Sequence, residues 1–162
     1  MVRIYCKNTG TFKEFPEGTT LLDMVDQFEF DKPYQIISAK VNNVSEGLKF
    51  RVYNNRDVEF LDYRSYSGRN VYSRSICFLL YKAARDIFPD CKLVIRRPIS
   101  KGYFCKLEKG DGSPVSESEL GRLKERMEAI VSKDIPFRRH DVQIEEAISL
   151  FRSLGHLDKV SL

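Results

Sequence analysis

The chain has 162 residues, 42% of them hydrophobic and 31% charged, with a net charge of +4 at pH 7. That size and apolar content suit one or two small packed domains and exclude a disordered tail. The apolar runs are too short for a membrane-spanning helix, and no basic, apolar and small-residue start marks a secretory signal, so a cytoplasmic location is expected.

The charge is unevenly placed. Residues 1–62 carry 8 Lys/Arg against 10 Asp/Glu, net −2, whereas residues 63–162 carry 19 against 13, net +6. A basic second half fits a polyanionic partner such as RNA, although scattered surface lysines give the same sum. Cys6, Cys77, Cys91 and Cys105 are dispersed without a C-x-x-C pair, which argues for buried thiols rather than a zinc knot or a disulfide framework.

In chain order, Val2-Arg3-Ile4-Tyr5-Cys6 alternates as a half-buried strand, and Asn8-Thr9-Gly10 turns it into a second strand over 12–15. Pro16-Glu17-Gly18-Thr19-Thr20 supplies a turn and an N-cap for a short helix whose apolar face is Leu21, Leu22, Val25 and Phe28. Residues 36–41, 48–53 and 58–61 read as three further strands, separated by Asn42-Asn43 and Asn54-Asn55 turns. Hairpin, helix and returning strands give the order of a β-grasp, ubiquitin-like module over residues 1–62.

Residues 63–70, rich in Ser, Gly and Arg, break both periodicities and read as a linker. Beyond it, Ile76, Leu80, Ala83 and Ile87 form the buried stripe of a helix ended by Pro89. Residues 92–97 and 102–107 pair as strands. Ser116 and Glu119 spell a capping box before a helix with Leu120, Leu123, Met127, Ile130 and Val131 on one face. A strand over 136–142 and a final helix marked by Ala147, Ile148, Phe151 and Leu154, stopped by Gly155, complete an α+β unit over 71–162.

The motifs E-F-P-E-G-T-T-L-L, A-K-V-N-N and N-N-R-D-V-E-F-L occur in the order in which a TGS domain carries its turns and strands, and residues 1–62 resemble that β-grasp unit. The stretch Ser73–Gly102 resembles the start of the second domain of threonyl-tRNA synthetases, shared in outline with alanyl-tRNA synthetases. In that family two helical histidines serve metal-assisted editing. Here Arg74 and Phe78 stand in their places. Guanidinium does not give up its proton and phenyl has no lone pair, so that chemistry is expected to be absent. The segments L-G-R-L-K-E-R-M-E and E-E-A-I-S-L-F-R-S-L-G-H-L-D-K-V continue the resemblance to the end of the chain. The family's further Cys/His pair would follow Leu162, so the chain is expected to be the front of a larger architecture.

No G-x-x-x-x-G-K-S/T is present, and Gly110-Asp111-Gly112 reads as a turn, so no phosphoryl transfer is assigned to these residues. His140 and His156 read as solvated residues rather than ligands. Neither a catalytic residue, a metal ligand nor a cofactor is assigned to this chain. The candidate site is a surface: Arg74, Phe78, Lys82 and Arg85 recur on one helix face, where guanidinium binds phosphate and an aromatic ring stacks on a base. The competing reading of this face is structural, with long side chains capping a core. Arg64, Arg69, Arg96-Arg97 and Arg138-Arg139 would extend a positive patch if they converge.

The details I-Y-C-K-N, K-V-N-N, E-G-L-K-F-R-V-Y-N and S-K-G-Y-F-C resemble the amino-terminal region of long bacterial uridine kinase-like proteins more than a synthetase. That resemblance implies a binding or regulatory region whose partner is a downstream kinase domain of the same polypeptide. ATP and Mg²⁺ would act there, transferring phosphate to a nucleoside beyond Leu162. The alternative is a tRNA- or RNA-binding TGS plus inactive editing-like fragment of a protein related to threonyl-tRNA synthetases. RNA, tRNA or a nucleotide is the candidate ligand of the helix face, and an active editing hydrolase is disfavoured by Arg74 and Phe78.

Overall fold

Alternation along the first strand, β1 (Val2–Cys6), decides which face it buries. Val2, Ile4 and Cys6 are buried, while Arg3 points outward and Tyr5 is half-buried. A turn closed by Gly10 N–H on the Cys6 carbonyl (2.9 Å) leads into antiparallel β2 (Thr11–Phe15), with Gly10 at φ +68°. The central neighbour of β1 is β7 (Arg56–Leu61), which runs parallel to it. Two asparagines outside β1 fix that pairing. Asn8 accepts the Phe60 N–H (2.8 Å) and donates to the Phe60 carbonyl (3.0 Å), while Asn55 accepts the Arg3 N–H (2.8 Å). On the far side of β7 lie β4 (Ser38–Val41) and β5 (Val44–Glu46), giving the sheet order β2-β1-β7-β4-β5. Both residues of the β4–β5 turn, Asn42 (φ 48°) and Asn43 (φ 68°), lie in the left-handed region, as a two-residue hairpin requires.

A short ribbon, β3 (Thr19–Thr20) with β6 (Arg51–Val52), delivers the chain into α1 (Leu21–Val25). Thr20 caps α1 by accepting the Asp23 N–H at 3.2 Å. The Leu21 and Leu22 N–H groups, which no helical carbonyl can reach, donate to the Phe50 and Leu48 carbonyls (3.1 and 2.9 Å). Leu21, Met24, Val25 and Phe28 then pack with Val2, Ile4, Val52, Val58 and Phe60 in one core drawn entirely from residues 2–60. This is the β-grasp arrangement that the sequence pattern implied.

The computed structural model describes residues 1–99, 102–138 and 140–160, with side chains described at all of these except 97, 98, 157 and 158. The long helix α2 (Tyr66–Ile87) begins inside the expected linker, because residues 62–68 form a strong start signal. Ser65 accepts the Gly68 N–H (3.0 Å) and donates to the Asp62 carbonyl (3.0 Å). A Cβ on Gly68 would lie 2.0 Å from that carbonyl oxygen, so only glycine fits the first turn. The helix packs on β4 and on β8 (Lys92–Ile99), which pairs antiparallel with β9 (Gly102–Glu108) across an irregularity between Ile95 and Pro98. The buried residues of α2 after its first turn are Ala83 and Ala84; Leu80 and Ile87 are half-buried and Ile76 is 39% exposed, so the packed stripe is narrower than its apolar spacing implied.

The next helix, α3 (Glu117–Ser132), opens with the expected capping box. Glu119 accepts the Ser116 N–H (2.8 Å), and Ser116 Oγ accepts the Glu119 N–H (3.3 Å). Leu123 is buried on α3, whereas Leu120 is exposed. The chain divides into two compact units, Met1–Glu128 and Ala129–Leu162. In the second, α4 (Ile144–Ser153) and α5 (Leu157–Val160) follow the end of α3. Gly155 (φ +71°) ends α4 in a Schellman motif: His156 N–H donates to the Phe151 carbonyl (2.8 Å) and Gly155 N–H to the Arg152 carbonyl (3.0 Å). The strand expected over 136–142 does not form at the described residues of that stretch. Phe137 and Val142 are exposed there, and alternation without a neighbouring strand does not make a sheet.

Candidate nucleic-acid interface

At 100° per residue, Arg74, Phe78, Lys82 and Arg85 fall within about a quarter turn of one another on α2. Ala83 and Ala84 are buried on another side, so the four-residue row faces away from the packed stripe. Arg74 is exposed and Phe78 is 62% exposed, an unusual setting for a phenyl ring on a basic helix face.

Lys82 and Arg85 each hold a neighbour on or just beyond the helix. Lys82 forms an i,i+4 ion pair with Asp86, although its own side chain stays 54% exposed. Arg85 is half-buried, and its Nη1 donates to the Cys91 carbonyl at 3.4 Å, just before β8. Burial pushes the Cys91 thiol up, and the nearby Arg85 charge opposes that shift. Arg85 thus joins α2 to the sheet while Arg74, Phe78 and Lys82 form the outward row.

Sequence reasoning missed Arg126. Its Nε and Nη2 donate to Asp86 Oδ2 at 2.9 and 2.6 Å, bringing a fourth cation to the edge of the face from α3. Forty residues separate the partners, and no local spacing encodes such a meeting. Lys82 holds the Asp86 carboxyl below the usual carboxylate range; Arg126 acts in the same direction, and burial opposes both.

The remaining arginines do not extend this row through any described contact. Arg64 donates to Asp62 through its backbone N–H and Nε, each at 2.9 Å, and lies 5.3 Å from the Tyr34 ring. Arg69, Arg96 and Arg138 are exposed, while Arg139 and the Arg97 side chain lie outside the described residues, as do Ser100 and Lys101 of the S-K-G-Y-F-C motif. His140 is exposed, whereas His156 serves the α4 cap, with its ring 6.2 Å from Phe151. Cys6 and Cys91 are buried, Cys77 is half-buried and Cys105 is exposed, so the expectation of buried thiols fails at Cys105. Among the described residues no three His, Cys, Asp or Glu side chains come together as a metal-ligand group, and no helix is long and apolar enough to cross a membrane.

No family model matches the chain. It is similar to the threonine–tRNA ligase of Desulforamulus reducens, with 29% identity over all 162 residues and 25% of that protein. The threonine–tRNA ligase of Natranaerobius thermophilus is 26% identical over 155 residues, 96% of this chain and 24% of the relative. That of Carboxydothermus hydrogenoformans is 28% identical over 158 residues, 93% of this chain and 23% of the relative. The chain spans about a quarter of the length of these curated relatives. The similarity extends over both the β-grasp module and the α+β unit that follows it, and it overturns the uridine kinase-like reading. Motifs such as K-V-N-N and S-K-G-Y-F-C are too short to outweigh an alignment running the whole length of the chain to synthetases.

Proposed function

We propose that this chain is a non-catalytic, RNA-binding segment of a protein related to threonyl-tRNA synthetases, and that tRNA contacts it on the outer face of α2. Residues 1–62 form its TGS-like domain, and the residues from α2 (Tyr66–Ile87) onward carry the editing-like resemblance without the editing ligands. The observation that carries the reading is the outward row of Arg74, Phe78 and Lys82. Its first two positions are those at which the editing resemblance calls for metal-binding histidines.

Arg74 supplies a planar, permanently charged donor for a phosphate, Phe78 an exposed ring on which an unpaired base can stack, and Lys82 a point charge one turn further on. None of the three can act as the proton acceptor of a hydrolytic reaction while Arg74 and Lys82 remain charged. The face therefore binds without reacting. Titration of the full chain with bulk tRNA tests this. Phe78→Ala should weaken binding by about 1–3 kcal/mol if a base stacks there, and Arg74→Ala should weaken it and flatten its salt dependence. Equal, poor binding by the wild type and both variants would make the face structural.

A further inference from the structure

The outer face of α2 carries its own anion. Asp86 accepts from Lys82 on Oδ1 and from Arg126 Nε and Nη2 on Oδ2, so a single carboxylate neutralises two cations from two helices. Its side chain is 22% exposed, those of Lys82 and Arg126 are 54% and 35% exposed, and the cluster lies at the rim rather than in the core. The geometry of the cluster matches what a nucleic-acid phosphate would offer, namely an anion with acceptor oxygens turned toward a lysine and an arginine.

We infer that Asp86 is an internal counter-ion occupying a phosphate position, that RNA displaces it from Lys82 and Arg126 on binding, and that Arg126 thereby belongs to the RNA surface. This rests on the reading of the α2 face as an RNA-binding surface and adds a residue and a restraint to it. Lys82 has three hydrogens to donate and Arg126 has five, so both retain donors for an arriving phosphate after bonding to Asp86. The carboxylate stays near the site and repels each phosphate that approaches. It therefore lowers affinity for any polyanion held by charge alone, and binding depends more heavily on Arg74 and on stacking at Phe78.

The test uses the full chain, bulk tRNA and a series of salt concentrations. Asp86→Asn keeps the shape and removes the charge. It should bind tRNA roughly three- to tenfold more tightly at low salt, with a log–log salt slope steeper by about one, because one more cation is available to displace counterions. Arg126→Gln should weaken binding and flatten the slope. Because Asp86 also links α2 to α3, each variant's thermal transition is recorded, and the wild type gives an independent readout in the ¹⁵N resonance of Arg126 Nε. That resonance should shift as tRNA is added. A stationary Arg126 resonance, or an Asp86→Asn protein that melts as the wild type does yet binds no more tightly, overturns the counter-ion inference while loss of binding in Arg74→Ala and Phe78→Ala keeps the RNA reading. Absence of tRNA binding in every protein, Asp86→Asn included, overturns both.

Discussion

Asp62 illustrates how much one side chain settles at the junction after β7. Its side chain is 8% exposed and pairs with Arg64, while its carbonyl accepts the Ser65 hydroxyl that in turn caps α2. The side-chain bond from Arg64 holds the Asp62 carboxyl below its ordinary value of 3.8, although burial opposes the shift. A carboxylate depressed in the folded state contributes stability that is fully present above the unfolded pKa and is lost as pH falls through the lower folded value. The wild type should therefore exceed Asp62→Asn in stability at pH 7, and the difference should shrink as the pH falls below 3.8, measured by urea unfolding at each pH. A difference that is constant down to pH 2 would mean that the charge on Asp62 does not matter. Asp86 and Glu119 shift in the same direction, so the Asp62 contribution is read only against its own variant.

Elements whose signal is local were legible in the sequence, and those that depend on a neighbour were not. The alternation of Val2, Ile4 and Cys6 and the Thr20 cap identify β1 and the start of α1 because each reports the burial or hydrogen bonding of its own residues. The Ser116–Glu119 box predicted the α3 start for the same reason, and the Ser116→Ala variant should lose about 1 kcal/mol of stability in thermal or urea unfolding. No loss would mean that the reciprocal bonds do not persist in solution. By contrast β5 was missed, since it is a three-residue edge strand with Val44 61% exposed and has no apolar alternation to display. The stretch over 136–142 has the alternation but no strand beside it at its described residues. In the candidate site, Arg74, Phe78, Lys82 and Arg85 could be placed on one face from helical spacing alone. The Lys82–Asp86 pair has the local i,i+4 spacing, whereas the ties of Arg85 to Cys91 and of Asp86 to Arg126 reach beyond the helix and have no local signal.

At the scale of the whole molecule, the core made from residues 2–60 closes without any side chain from beyond the junction. Residues 1–62 expressed alone should therefore give dispersed amide resonances and a cooperative thermal transition, whereas a collapsed or non-cooperative fragment would mean that α2, which packs on β4, is required for folding. The two ends of the charge distribution also separate: the β-grasp residues are net negative and the following residues net positive, which directs a polyanion to the second part of the chain. The outer sheet face offers a rival aromatic surface, in which Arg3 lies 4.0 Å over the Phe12 ring and Phe12 contacts Tyr5, but Asp57, Glu14 and Glu59 border it. Amide chemical-shift mapping of the full chain during titration with bulk tRNA separates the two surfaces most directly. The account predicts that the largest perturbations fall on α2 around Arg74, Phe78 and Lys82; perturbations confined to β1 and β2 around Arg3, Tyr5 and Phe12, or none anywhere at low salt, would contradict it.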